Sequence, residues 1–243
     1  MHPTREWLEK WKKVKDKLQA PRNLEDYFTL KKIAGEKLDV LNIGTCSIPS
    51  GKLVAGDSLV TLPNENLIPY IQETPIGEFP VDICVLTHHD RYAAIRIKFN
   101  DNKAVYFENG MKGNEDLEGE IKEGDFYGFG VDAGMASITD IEVQKAYHKF
   151  EKKFSELNED GDLYNDYFWD LLEENAKEFP KYQAEYGDWL NWNIPDTKYT
   201  MPICASGWGD GYYPVYFGYD ENNNICQVVV HFIDIDLEFL EEK

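Results

Sequence analysis

The chain has 243 residues, of which 45 are acidic and 25 basic; the formal net charge is −20, and 42% of the residues are hydrophobic. That is apolar material for a sizeable core, while the acidity argues against nucleic acid as a partner, since phosphate backbones need a basic footprint. No run approaches the ~18 apolar residues of a membrane span, and "MHPTREWLEKWKKVKDKLQA" has charges where a secretory leader needs an apolar stretch, so no membrane contact and a cytoplasmic location are expected.

Residues 1–20 read as an N-terminal amphipathic helix. Thr4 is placed to cap it, and Trp7, Trp11, Val14 and Leu18 recur at helical spacing on one face. This segment holds six Lys/Arg against three acids, so the remainder carries −23. Residues 35–140 show short runs of β-branched and aromatic residues, such as "VDICVLT" and "YAAIRIKF", punctuated by Pro, Gly and Asn. Their spacing fits an antiparallel sheet and leaves no room for crossover helices. "HHDRY" falls at a hairpin tip. After a charged connector, Val143, Tyr147, Phe150, Phe154 and Leu157 predict a helix. A second is expected from about Leu163 to Phe179, which makes an αα-hairpin inserted at about 140–180. Strand patterns return from Met201, and "IDIDLEFL" alternates like a strand with one wet face. The expected fold is α+β: a predominantly antiparallel sheet, sandwich-like or strongly twisted, forming one β-rich domain over 35–240.

Known chemical signatures are absent. Cys46, Cys84, Cys204 and Cys226 form no CxxC pair, and they are expected as reduced core thiols. "GFGVDAG" lacks the spacing of a phosphate cradle. "DENNN" has oxygens at alternate positions, but Ile225 and His231 stand where a calcium loop needs Gly and Glu, so it reads as a hairpin loop. Ser206 lacks the first glycine of a nucleophile elbow. No catalytic residue, metal site or cofactor is expected.

The stretch "CASGWGDGYYPVYFGYD", Cys204 to Asp220, carries the densest signal. Gly207, Gly209 and Gly211 alternate around Trp208 and Asp210, which suits a tight turn or close approach by a flat ligand. Pro214 cannot donate a ladder hydrogen bond, so its strand is expected at an edge or with a bulge. Together with "SGKLVAGDSL" and "GFGVDAG", this stretch resembles an uncharacterised bacterial family catalogued as domain of unknown function 4241; Ser58 departs from the proline of that family's first motif. The resemblance covers roughly residues 35–232 and implies no assigned activity. Asp57, Asp132, Ser206, Trp208 and Asp210 match its motif positions, and with Tyr212 they are the candidate ligand- or partner-binding residues. The expected function is that of an acidic binding protein, an immunity or inhibitor protein that neutralises a basic toxin, enzyme or other cationic protein. The alternative is an enzyme or small-ligand binder centred on Asp57, Asp132, Ser206 and Asp210.

Overall fold

In the computed structural model, which describes residues 3–240, the Thr4 hydroxyl accepts the Trp7 N–H at 3.1 Å and starts α1 (Arg5–Val14). A 3-10 turn (Lys15–Lys17) extends it. Trp7, Trp11 and Leu18 are buried against Met111, Leu117 and Ile121. The tryptophan stripe therefore docks the helix onto the connector at residues 111–121. A short α2 (Asp26–Thr29) follows.

The strands are β1 (Lys32–Ile33), β2 (Glu36–Ile48), β3 (Leu53–Asp57), then, after α3 (Thr61–Asn64), β4 (Gly77–Leu86), β5 (Arg91–Lys98), β6 (Tyr106–Asn109), β7 (Gly128–Val131) and β8 (Met135–Asp140). The helical pair is α4 (Ile141–Leu157), a π-helical turn (Tyr164–Phe168) and α5 (Trp169–Glu178). The chain ends with β9 (Trp189–Asn193), β10 (Thr200–Ala205), β11 (Gly211–Tyr219), β12 (Ile225–His231) and α6 (Ile235–Phe239).

Every pairing is antiparallel. One sheet runs β1-β2-β4-β5-β12-β11-β6, with β7 beside the first half of β11; the other runs β3-β8-β10-β9. The larger sheet curls into a half-barrel, and the fold is α+β. A single apolar cluster joins the two, taking Ile83, Ile95, Val228 and Phe217 from the large sheet and Leu53, Ile138 and Cys204 from the small one. The helical pair covers the other face of the small sheet. Val143 and Tyr147 of α4 and Phe168 and Leu172 close over Trp192, whose ring lies 4.8 Å from Tyr147 and 4.9 Å from Phe168.

One expectation is corrected. Residues 235–239 are helical. The Asp234 carboxylate accepts the Leu237 N–H at 3.1 Å, an N-cap that outweighs the alternating pattern. Ile235 is buried while Leu237 is 83% exposed. The expectation for the Pro214 strand holds: residues 211–214 of β11 pair with β7 alone, and only from Val215 onward is β11 flanked by β12, with β6 on its other side from Tyr216. Pro214 is accommodated because it pairs only with Gly128 of β7, one residue before the β12 ladder begins. A bulge does occur at Gly218–Tyr219.

The hairpin readings agree with the structure. Residues 87–90 join β4 to β5. "DENNN" closes β11 onto β12, with Asn223 at φ +61° and Asp220 accepting the N–H groups of Asn222 and Asn224 at 2.9 Å each. All four cysteines are free and buried. Burial raises each thiol pKa, that of Cys226 to about 11.

Candidate functional site

Three turns meet at one end of the small sheet: residues 57–60 after β3, residues 132–134 between β7 and β8, and residues 206–210 between β10 and β11. Asp57 joins the first two. Its carboxylate is fully buried; Oδ1 accepts the N–H groups of Leu59 (2.8 Å) and Val60 (3.0 Å), and Oδ2 those of Asp132 (2.8 Å) and Ala133 (2.7 Å). Four backbone donors surround one carboxylate, so Asp57 holds turns together and presents no free oxygen to a ligand.

Ser206 joins the second turn to the third. Its N–H donates to the Gly134 carbonyl at 3.0 Å, and its hydroxyl donates to the Gly209 carbonyl at 2.8 Å. The Tyr213 hydroxyl lies between the carbonyls of Ser206 (3.0 Å) and Gly209 (2.6 Å). The Ser206 side chain is buried and committed, with no histidine beside it in this network. Gly207 and Gly209 adopt φ of +54° and +110°, which is the turn chemistry that the glycine spacing requires.

The motif residues therefore do gather, but not as one set of converging side chains. Asp57 and Ser206 face inward and lock turns. The side chains of Asp132, Trp208, Asp210 and Tyr212 face solvent. Trp208 is 50% exposed. Its ring is 5.8 Å from the Arg91 guanidinium and 6.0 Å from the His89 ring, on a cleft of about 210 Å³ that Asp90, Arg91, Gly134 and Asp188 also line. Tyr212 lies elsewhere; its ring stacks on Phe126 at 6.0 Å and its hydroxyl accepts the Gly128 N–H at 3.0 Å. Among the described residues, no group of three or more His, Cys, Asp or Glu is placed to hold a metal ion, and no helix is long and apolar enough to cross a membrane.

Two features escaped the sequence reading. One is Asp140, a buried carboxylate that caps α4 through the Glu142 N–H (2.8 Å) and also accepts the N–H groups of Ser50 and Gly51 at 2.9 Å each. An aspartate just before a helical stripe is an N-cap signal that would have located it. The other is where the acidity lies. Residues 156–188 hold eleven acids and two lysines, a net −9 in 33 residues out of −20 overall. Nine of these acids are exposed. Among the described residues only Glu173 is ion-paired, with Lys177 at 3.1 Å.

The next row of α5 is acidic throughout. Asp170, Glu174 and Glu178 follow one another at i, i+4 on its exposed side, and the one lysine of this helix, Lys177, pairs with Glu173 and not with this row. Like charges at this spacing destabilise a helix, and acids in its last turn oppose the helix dipole. Beside this row the Trp169 ring lies 5.2 Å from Tyr186 and 5.9 Å from Tyr164, and Phe179 is half exposed. The acidic stretch ends at Asp188, on the Trp208 cleft.

No curated protein and no solved structure matches the chain. A family match spans residues 46–230, from the end of β2 into β12, and includes all three turns and the helical pair. The chain belongs to the family described as protein of unknown function, DUF4241.

Proposed function

We propose that this protein binds a cationic protein partner through the acidic, aromatic face of its helical pair, in the manner of an immunity or inhibitor protein that masks a basic toxin or enzyme. The observation that carries the reading is the unpaired row Asp170–Glu174–Glu178. A helix designed only for solubility would interleave lysines at i, i+4 and gain stability from them. Here the fold carries a repulsive row, next to exposed aromatic rings, and a partner rich in Lys and Arg relieves that repulsion. Such a field also raises the encounter rate with a basic surface. The aromatic rings supply the desolvated anchors that affinity needs.

The test is affinity capture from lysate of the producing cell, with the native chain and an Asp170→Asn/Glu174→Gln/Glu178→Gln triple variant as baits. The expected result is one basic protein held by the native chain at low ionic strength, released at high ionic strength, and not held by the variant. The reading is overturned if no protein is retained at either ionic strength, or if the variant holds the same protein equally well.

A further inference from the structure

A second cleft, away from the acidic face, has a different character. Its volume is about 350 Å³, within the ~300–1,000 Å³ range of small-molecule sites. It lies between the extended chain at residues 66–70, the segment 110–115 that follows β6, the entry into β7, and Tyr212 of β11. In a chain of net charge −20, its lining includes one lysine and one carboxylate, Lys112 and Glu115. Glu115 is already engaged by the backbone N–H groups of Lys112, Gly113 and Asn114. The rest of the polar lining is neutral.

Tyr70 forms part of its wall. The ring is locked: it packs edge-on against Phe217 at 5.7 Å, and a Cβ on Gly110 would come within 3.0 Å of both rings. The Tyr70 hydroxyl is buried and has no hydrogen-bond partner, which is costly unless a bound group supplies one. Burial raises its pKa. Tyr212 accepts the Gly128 N–H, which leaves its own proton to donate. Tyr127 provides another aromatic surface. At the rim, the side-chain amides of Asn66 and Asn114 are exposed and bond to no described residue.

Aromatic faces, uncommitted amides and an unpartnered hydroxyl, with little net charge, suit a flat ring that carries many hydroxyls. We infer that this cleft is a binding site for a neutral sugar ring, independent of the acidic face. Its hydroxyls meet Tyr70, Tyr212 and the two amides, while its C–H face lies on a tyrosine ring.

The test uses the full chain and four neutral probes: the methyl pyranosides of glucose, mannose and galactose, and N-acetylglucosamine. Saturation-transfer NMR reads binding directly. At least one probe is expected to bind, with affinity reduced about tenfold by Tyr212→Ala and severalfold by Tyr70→Phe. The second change removes only an oxygen and keeps the ring. Asn114→Ala, on the exposed rim, should weaken binding severalfold without touching the core. Failure of all four probes, or binding unchanged in all three variants, overturns the inference. Tighter binding of glucuronate or glucosamine than of every neutral probe also overturns it.

Discussion

Asp57 and Asp140 occupy the C-terminal ends of two paired antiparallel strands, β3 and β8, and each clamps the backbone that leads into the other strand. Asp57 holds the N–H groups of Asp132 and Ala133, just before β8; Asp140 holds those of Ser50 and Gly51, just before β3. The two latches fix the register of the pair from both ends. Replacing either by Asn keeps the size but turns an amide N–H₂ toward backbone donors. Asp57→Asn and Asp140→Asn are each expected to lower unfolding stability by about 2–4 kcal/mol, because hydrogen bonds to a buried charge are lost and donors are left unpaired. Urea unfolding followed by circular dichroism measures this. A loss below about 0.5 kcal/mol for Asp57→Asn would show that its role is not structural.

Gly128 and Gly130 share one motif but meet different surroundings. A Cβ at Gly128 would sit 2.2 Å from the Tyr213 carbonyl oxygen, against backbone of β11. At Gly130 nothing lies within 4 Å. Gly128→Ala is expected to cost about 3 kcal/mol or more through backbone displacement, whereas Gly130→Ala should stay within about 0.5 kcal/mol of the native chain or exceed it slightly. Paired thermal melts distinguish the two; equal effects would mean that β7 does not lie against β11 as described.

Much of this architecture was legible from residue spacing. The Trp7–Trp11 stripe, the Val143–Tyr147–Phe150 stripe and the Asn-rich loop at 220–224 are local patterns with local causes, and they form the elements expected of them. What was hidden depends on distant partners. Sequence shows that Asp57 is a carboxylate, not that four N–H groups from two turns converge on it. It shows Ser206 beside glycines, not that the hydroxyl is committed to Gly209. The tail alternates like a strand, yet Asp234 caps a helix there, and the Tyr27 hydroxyl accepts the Ile235 N–H at 3.1 Å from 208 residues away. Pro214 pointed to an edge or a bulge, and both occur: the β12 ladder starts one residue after it, and β11 bulges at Gly218–Tyr219, though sequence does not show which strands lie beside it.

His231 is the buried titratable group that links pH to stability. It packs edge-on against Tyr27 at 5.1 Å and bonds its hydroxyl at 2.8 Å; that hydroxyl in turn donates to the Ile233 carbonyl. Burial lowers the imidazole pKa from 6.5 to about 4, and the Asp234 carboxylate only partly opposes this. The unfolded chain therefore takes up the proton first. The contribution is fully present above about pH 6.5 and is lost as pH falls toward 4. Between pH 7 and pH 5 the loss should reach about 2 kcal/mol. Urea midpoints at the two pH values, for the native chain and His231→Gln, give the comparison. The difference between them should vanish if another group controls the slope.

The acidic row on α5 makes a prediction that separates function from folding. Neighbours in the row Asp170, Glu174 and Glu178 repel one another at i, i+4, and Glu178, in the last turn, opposes the helix dipole. If the row exists for a partner, the isolated protein bears a stability cost for it. Glu174→Gln and Glu178→Gln should each raise stability by about 0.2–0.5 kcal/mol at low ionic strength, and the gain should shrink as salt screens the native repulsion. Glu173→Gln, which breaks the pair with Lys177, should do the opposite by a similar amount. Denaturant titrations at two salt concentrations test all three. A loss of stability in Glu174→Gln and Glu178→Gln would mean that these carboxylates support the fold itself, and the case for a cationic partner would then lose the feature that distinguishes this helix from an ordinary soluble one.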